Sequence, residues 1–205
     1  IEAEGGINSK GLDKVAFDYS TDNKFAYGTD GSVNVPHMDY TDFEFRYYSA
    51  HKEDLKRFLI TLYSNGYKSY NTCGLHIHCK FNDMQKAKSF FSVKNVQSLF
   101  YKSYKEAFPK NRYQNRLDGQ YSRADYERRA VMEQLTRNDK TNYRYRGINL
   151  NATNLYGTIE FRIMPYMNSA REAVGAINWL IKTTHVLLHN PELYEAEPET
   201  ISLPI

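Results

Sequence analysis

The sequence predicts an α+β protein, a mainly antiparallel sheet with helices inserted between its strands. Three observations carry that expectation. Short segments alternate apolar and polar residues with a period of two: "DFEFRYY" (42–48), "CGLHIHCKF" (73–81) and "GTIEFRIMP" (157–165). Longer segments between them repeat apolar residues with a helical period, above all 51–66 and 169–191. The 18 tyrosines suit a sheet-based protein, because rings of this kind favour pleated, half-buried surfaces.

Taken in order, residues 1–8 read as a short strand stopped by Gly5 and Gly6. Segments 13–20 and 25–33 read as two further strands, with turn chemistry at Asp30, Gly31 and Ser32. In 51–66, Leu55, Phe58, Leu59 and Leu62 share a helix face and Gly66 supplies the stop. Asp83 is placed to cap a helix over 84–91, and a second helix fits 94–107, before Pro109. Residues 109–121 read as a polar loop. A helix over 122–137 opens on a capping box of Ser122 and Asp125. Segments 142–151 and 157–165 read as strands. The helix over 169–191 opens on Ser169 and Glu172, and Val174, Ile177, Ile181, Thr184 and Leu188 mark its apolar stripe. The 205 residues suit one domain, with a core over 1–191 and a loose acidic tail over 192–205.

Composition narrows the function classes. A formal net charge of +3 is too weak to indicate nucleic-acid binding by itself. No apolar run approaches the ~20 residues of a membrane span, and no signal peptide is visible. The chain opens on Ile1 directly in a strand pattern, so residues preceding it are expected. Cys73 and Cys79 lie six apart on one expected strand, ~20 Å in extended form, too far to bridge. Two reduced thiols fit a cytoplasmic protein.

Four expected strands carry polar groups at alternate positions: Glu2 and Glu4; Glu44 and Arg46; His76 and His78; Glu160 and Arg162. A solvated sheet face ordinarily mixes Thr, Ser, Lys and Gln. Here the groups are carboxylate, imidazole and guanidinium, which are ligands for hard metals and binders of phosphate. Each pair alone reads as a surface ion pair or a solvated edge; the same pattern in four strands points to a site. The chemistry it suits is phosphoryl transfer from a nucleotide, with Mg²⁺ or Mn²⁺ held by Glu2, Glu4, Glu44 and an imidazole, and arginines facing the transferred group. No P-loop, dinucleotide fingerprint, H-E-x-x-H or C-x-x-C motif is present.

The motifs "IEAEGG", "YGTDGSV…FEFRYYS", "GLHIHCKF", "YRYRGINLN", "GTIEFR" and a following helix with "INWL" resemble, in order, those of the amidoligase family. That family belongs to the glutamine synthetase-like carboxylate–amine ligases, and the resemblance spans roughly residues 1–190. It implies a glutamine synthetase-like catalytic fold with a curved sheet, ATP as co-substrate, and two or three Mg²⁺ or Mn²⁺ ions. It also implies amide formation through an acyl phosphate. By motif, Glu4 and Glu44 correspond to ligands of the metal on the substrate side, and Glu2, His76 and Glu160 to ligands of the metal bridging the ATP phosphates. Arg162 corresponds to the arginine on the transferred phosphoryl group. Arg144 and Arg146 correspond to arginines near the nucleotide or substrate carboxylate. His78 corresponds to support behind the ligands or a substrate contact. Arg112 and Arg116, in the basic stretch that follows the helix over 94–107, can line the nucleotide pocket. The stretch "EFRYYSAHK" departs from the family, which places a Ser-Pro or Thr-Pro pair after the third carboxylate strand; here Arg46 is added and no proline follows.

Two other readings compete: a non-catalytic binding module, and a metal-dependent amide hydrolase. Residues 110–146 interleave ten basic residues with Tyr113, Tyr121, Tyr126, Tyr143 and Tyr145, a pattern that can bind single-stranded nucleic acid. Pairing of the basic residues with Asp125, Glu127 and Glu133 on a solvated helix is the expectation preferred here. The expected partners are therefore small-molecule or peptide carboxylates and amines, with a homo-oligomer open and neither nucleic acid nor membrane expected.

Overall fold

In the computed structural model, residues 1–29, 36, 39–120 and 122–195 are described. The chain is mixed α+β, as expected. Its elements are β1 (Glu2–Ile7), α1 (Ser9–Asp18), β2 (Phe25–Thr29), β3 (Thr41–Tyr47), α2 (Lys52–Ser64), β4 (Gly74–Cys79), α3 (Met84–Phe91), α4 (Lys94–Ala107), α5 (Asn111–Leu117) and α6 (Arg128–Thr136). A 3₁₀ turn (Asn142–Tyr145), β5 (Ile148–Asn149), α7 (Asn151–Tyr156), β6 (Ile159–Pro165), α8 (Ala170–His189) and α9 (Glu192–Glu195) follow. They divide into two compact units, Ile1–Ile77 with Met164–Ile177, and His78–Ile163 with Asn178–Ile205. No described helix is long and apolar enough to cross a membrane.

In the first unit the strand order is β2-β3-β1-β4, and the ladders are antiparallel. Register places Glu4 opposite Glu44, and Glu2 between Arg46 on one side and His76 on the other. Ala3 lies between Phe45 and Leu75 in the same register. Cross-strand partners share a face, so the ladder sorts polar groups to one side and apolar groups to the other. Phe45, Tyr47, Phe58, Leu59 and Leu62 are buried, and Tyr47 stacks on Phe58 with ring centroids 4.7 Å apart.

Two expectations for this unit are corrected. Gly5 and Gly6 do not stop the first strand, which runs through both to Ile7. Gly5 is needed for close packing: a Cβ there would sit 2.5 Å from the Lys68 carbonyl oxygen and 2.6 Å from the Tyr67 ring. Segment 13–20 lies largely in α1, not in a strand. Asn8 caps that helix by accepting the Gly11 N–H at 2.8 Å, and Gly11 and Val15 face inward one turn apart. The α2 helix forms as expected and ends before Gly66, whose φ of +87° is the left-handed conformation glycine favours. The turn expected at Asp30, Gly31 and Ser32 lies outside the described residues.

In the second unit β5 pairs with β6 antiparallel, Asn149 opposite Glu160 and Ile148 opposite Phe161. Phe161 packs edge-on to Phe91 and tilted on Phe100, which also contacts Trp179. Both α3 and α4 form as expected, with Asp83 accepting the Lys86 N–H at 2.9 Å. Three expectations are corrected. Residues 111–117 form a helix rather than a loop, anchored by Tyr113 and Leu117 one turn apart. The helix expected over 122–137 begins only at Arg128, because Asp125 and Glu127 hold Arg146 and Ser122 bonds the Arg116 carbonyl. Segment 142–151 is a 3₁₀ turn, a two-residue strand and the first residue of α7 rather than one strand.

Ser169 and Glu172 do cap α8: Ser169 Oγ accepts the Glu172 N–H at 3.2 Å, and Glu172 Oε2 accepts the Asn168 N–H at 2.8 Å. Its buried stripe differs from the expected one. Ala173, Ala176, Ile177, Leu180, Thr183, Thr184 and Leu187 are buried, whereas Ile181 is 47% exposed. Of the expected tail, Glu192–Glu195 form α9; the rest lies outside the described residues.

Candidate functional site

The polar face of the first unit gathers five of the residues singled out in the sequence. β1 supplies Glu2 and Glu4, β3 supplies Glu44 and Arg46, and β4 supplies His76. His76 is buried, with Nδ1 3.5 Å from Glu2 Oε2 and Nε2 3.5 Å from Glu4 Oε1. Arg46 lies 3.5 Å from Glu2 Oε1 and forms an ion pair with Glu44. Glu4 is itself buried, and its backbone carbonyl accepts hydrogen bonds from Tyr67 Oη at 2.6 Å and Ser69 Oγ at 3.0 Å. These bonds fix the strand at the point where the carboxylates converge.

Burial raises the Glu44 carboxyl above its ordinary value, and the neighbouring Glu2 carboxylate adds to the rise; Arg46 opposes both. Carboxylates drawn together in a partly buried place repel, and a cation between them relieves that repulsion. One ligand atom each from Glu2, Glu44 and His76 lies within 4.8 Å of the others. Donors sharing one Mg²⁺ lie at most about 4.2 Å apart, twice a bond length of ~2.1 Å. Two carboxylates and one imidazole form a donor set that suits Mg²⁺ or, with the nitrogen, Mn²⁺. The first unit can therefore hold a divalent metal ion.

The second unit brings together another set. Glu160 is buried; its Oε1 accepts from Arg162 Nη1 at 2.5 Å and lies 3.9 Å from His78 Nε2, while its Oε2 accepts from Asn149 Nδ2 at 2.6 Å. His78 Nδ1 bonds Thr158 Oγ1 at 3.0 Å. Arg162 lies over the Tyr145 ring, 5.6 Å from its centroid, and Arg144 lies over the same ring at 4.6 Å. Arg116 Nε donates to the Arg162 carbonyl at 3.3 Å, so it steadies the strand carrying the arginine. Arg146 is placed differently: Asp125 and Glu127 clamp its buried guanidinium and match its charge with two carboxylates.

Sequence reasoning missed Asn149 and Thr158, the groups that orient Glu160 and His78. Each sits inside a quoted motif, "YRYRGINLN" and "GTIEFR", but only the β5–β6 register shows that Asn149 faces Glu160. The Asp125–Arg146–Glu127 clamp was hidden by assigning both acids to a helix. No family model, curated protein or solved structure matches this chain.

Proposed function

We propose that the protein is an ATP-dependent carboxylate–amine ligase of the amidoligase type, working with Mg²⁺ or Mn²⁺. The observation that carries the reading is the register of β1, β3 and β4, which collects two or more carboxylates and a buried imidazole at one spot. The Glu160–Arg162 pair of the second unit supports it, since a half-buried guanidinium oriented by a buried carboxylate suits a transferring phosphoryl group.

In this reading a substrate carboxylate oxygen attacks the γ-phosphorus of ATP, and the bond to the bridging oxygen of ADP breaks. An amine then attacks the acyl carbon, phosphate leaves with the bonding electrons, and the nitrogen loses a proton. A bound divalent ion supplies charge neutralisation for the polyphosphate. Glu2, Glu44 and His76 would hold that ion, with Glu4 against His76. The family resemblance assigns the transferred group to Arg162, and within the second unit Asn149 holds Glu160 so that the arginine keeps its direction. Arg46 neutralises the carboxylate pair from the solvent side.

Titration with Mn²⁺, followed by the loss of the free-ion electron paramagnetic resonance signal, tests the metal assignment. The wild-type chain is expected to bind, and Glu44→Gln to weaken binding at least tenfold, since even groups behind the ligands are worth ~10–100-fold. Unchanged binding in Glu44→Gln and Glu2→Gln would remove the assignment.

A further inference from the structure

The second unit contains a cleft of about 660 Å³ whose lining includes Arg123, Arg129, Arg137, Lys140, Tyr143 and Arg146, with Glu133 as its single lining carboxylate among the described residues. It lies in the stretch 110–146, where ten basic residues stand against five acidic ones, although the whole chain carries only +3. The expected pairing with Asp125, Glu127 and Glu133 forms, through Arg123, Arg146 and Arg137, but of the three acids only Glu133 lies on α6. Asp125, one turn before Arg129 on the expected helix, lies outside α6 and is engaged by Arg146 and Arg123.

Some of the cleft's cations are structural. Arg146 is clamped by Asp125 and Glu127; Arg137 is held by Asp139 at 2.8 Å and lies 3.8 Å from Glu133. Arg129 and Lys140 have no carboxylate partner among the described residues, and both are exposed. The cationic positions are also spread out. Arg129 lies near the start of α6 and Lys140 beyond its C-terminal end, on separate segments. That placement suits a chain of repeated anions better than a single phosphate or carboxylate. Two rings complete the lining. Tyr145 already carries Arg144 and Arg162 over its face, while Tyr143 has Arg146 at 5.9 Å and remains half-buried at the cleft.

We infer that this cleft binds single-stranded nucleic acid, with Arg129 and Lys140 on the phosphates and Tyr143 as a stacking platform for a base. The function is separate from the ligase reading and does not depend on it. Free base faces favour a single strand, because a duplex keeps its bases stacked on each other.

The test is fluorescence anisotropy of the full chain with a labelled 15-nucleotide oligothymidylate, a duplex of equal length, and a salt series. The single strand is expected to bind more tightly than the duplex, with log K falling linearly in log salt at about −0.7 per phosphate neutralised. Arg129→Ala with Lys140→Ala is expected to reduce that slope by about 1.4. Tyr143→Leu should weaken binding about tenfold with the slope unchanged, and Tyr143→Phe should restore it. Both changes are read against unfolding temperatures, and the double variant, confined to exposed side chains, keeps the test open should Tyr143→Leu unfold. Four results would overturn the proposal: no binding at low salt, equal binding of the duplex, an unaltered slope in the folded double variant, or displacement of the strand by ATP at equal concentration, which would mark a mononucleotide pocket.

Discussion

At the scale of single residues, the arrangement turns on carboxylates placed where they repel. Glu4 faces Glu44 across the ladder, and burial with the Glu2 charge raises the Glu44 carboxyl. A raised carboxyl binds its proton more tightly folded than unfolded, so its contribution is present at low pH. It is lost as pH rises from the ordinary value of 4.5 through the folded titration. Glu44→Gln does not titrate. Thermal unfolding across pH is therefore expected to show the variant no more stable than wild type at pH 3–4 and more stable at neutral pH, in metal-free buffer. Asn149→Ala acts oppositely. It removes the partner of a buried Glu160 oxygen and is expected to cost ~1–3 kcal/mol in denaturant unfolding. The acidic and imidazole residues of the site were legible in the sequence because strand periodicity alone puts alternate residues on one face. Asn149 was not, because the identity of a cross-strand neighbour is a property of register, which composition and spacing do not encode.

At the scale of elements, α8 provides the clearest contrast. Leu180 is fully buried while Ile181 is 47% exposed. Leu180→Ala is expected to destabilise by ~2–5 kcal/mol, and Ile181→Ala to stay within about 0.5 kcal/mol; urea unfolding of the two variants checks both. The expected stripe was displaced because alanines and threonines, which the pattern undervalues, line the buried side. Long elements such as α2, α4 and α8 were readable, since several turns average out single exceptions. Short ones were not. Across α1 and its C-terminal cap, Leu12, Val15, Ala16 and Tyr19 carry a helical period, but the apolar residues of 15–19 also alternate as in a strand. In α5 only two inward side chains mark the helix. In 122–127, apparent capping residues serve a tertiary clamp on Arg146 instead, and tertiary demand overrides local propensity.

At the scale of the whole molecule, the two units each hold polar groups of a kind that ordinary sheet faces lack: Glu2, Glu44 and His76 in one, Glu160, Arg162 and His78 in the other. The ligase reading requires that metal and nucleotide bind this chain together, and the measurement that tests it most directly is thermal unfolding with Mg²⁺ or Mn²⁺, with ATP, and with both. At ~100 times its dissociation constant, a ligand of the native state adds ~2.7 kcal/mol, a shift of several degrees for a chain of this size. The expected result is a shift that requires metal and ATP together and is lost in Arg162→Ala. A shift with metal alone, undiminished by that variant, or no shift under any of the three conditions, would contradict the reading.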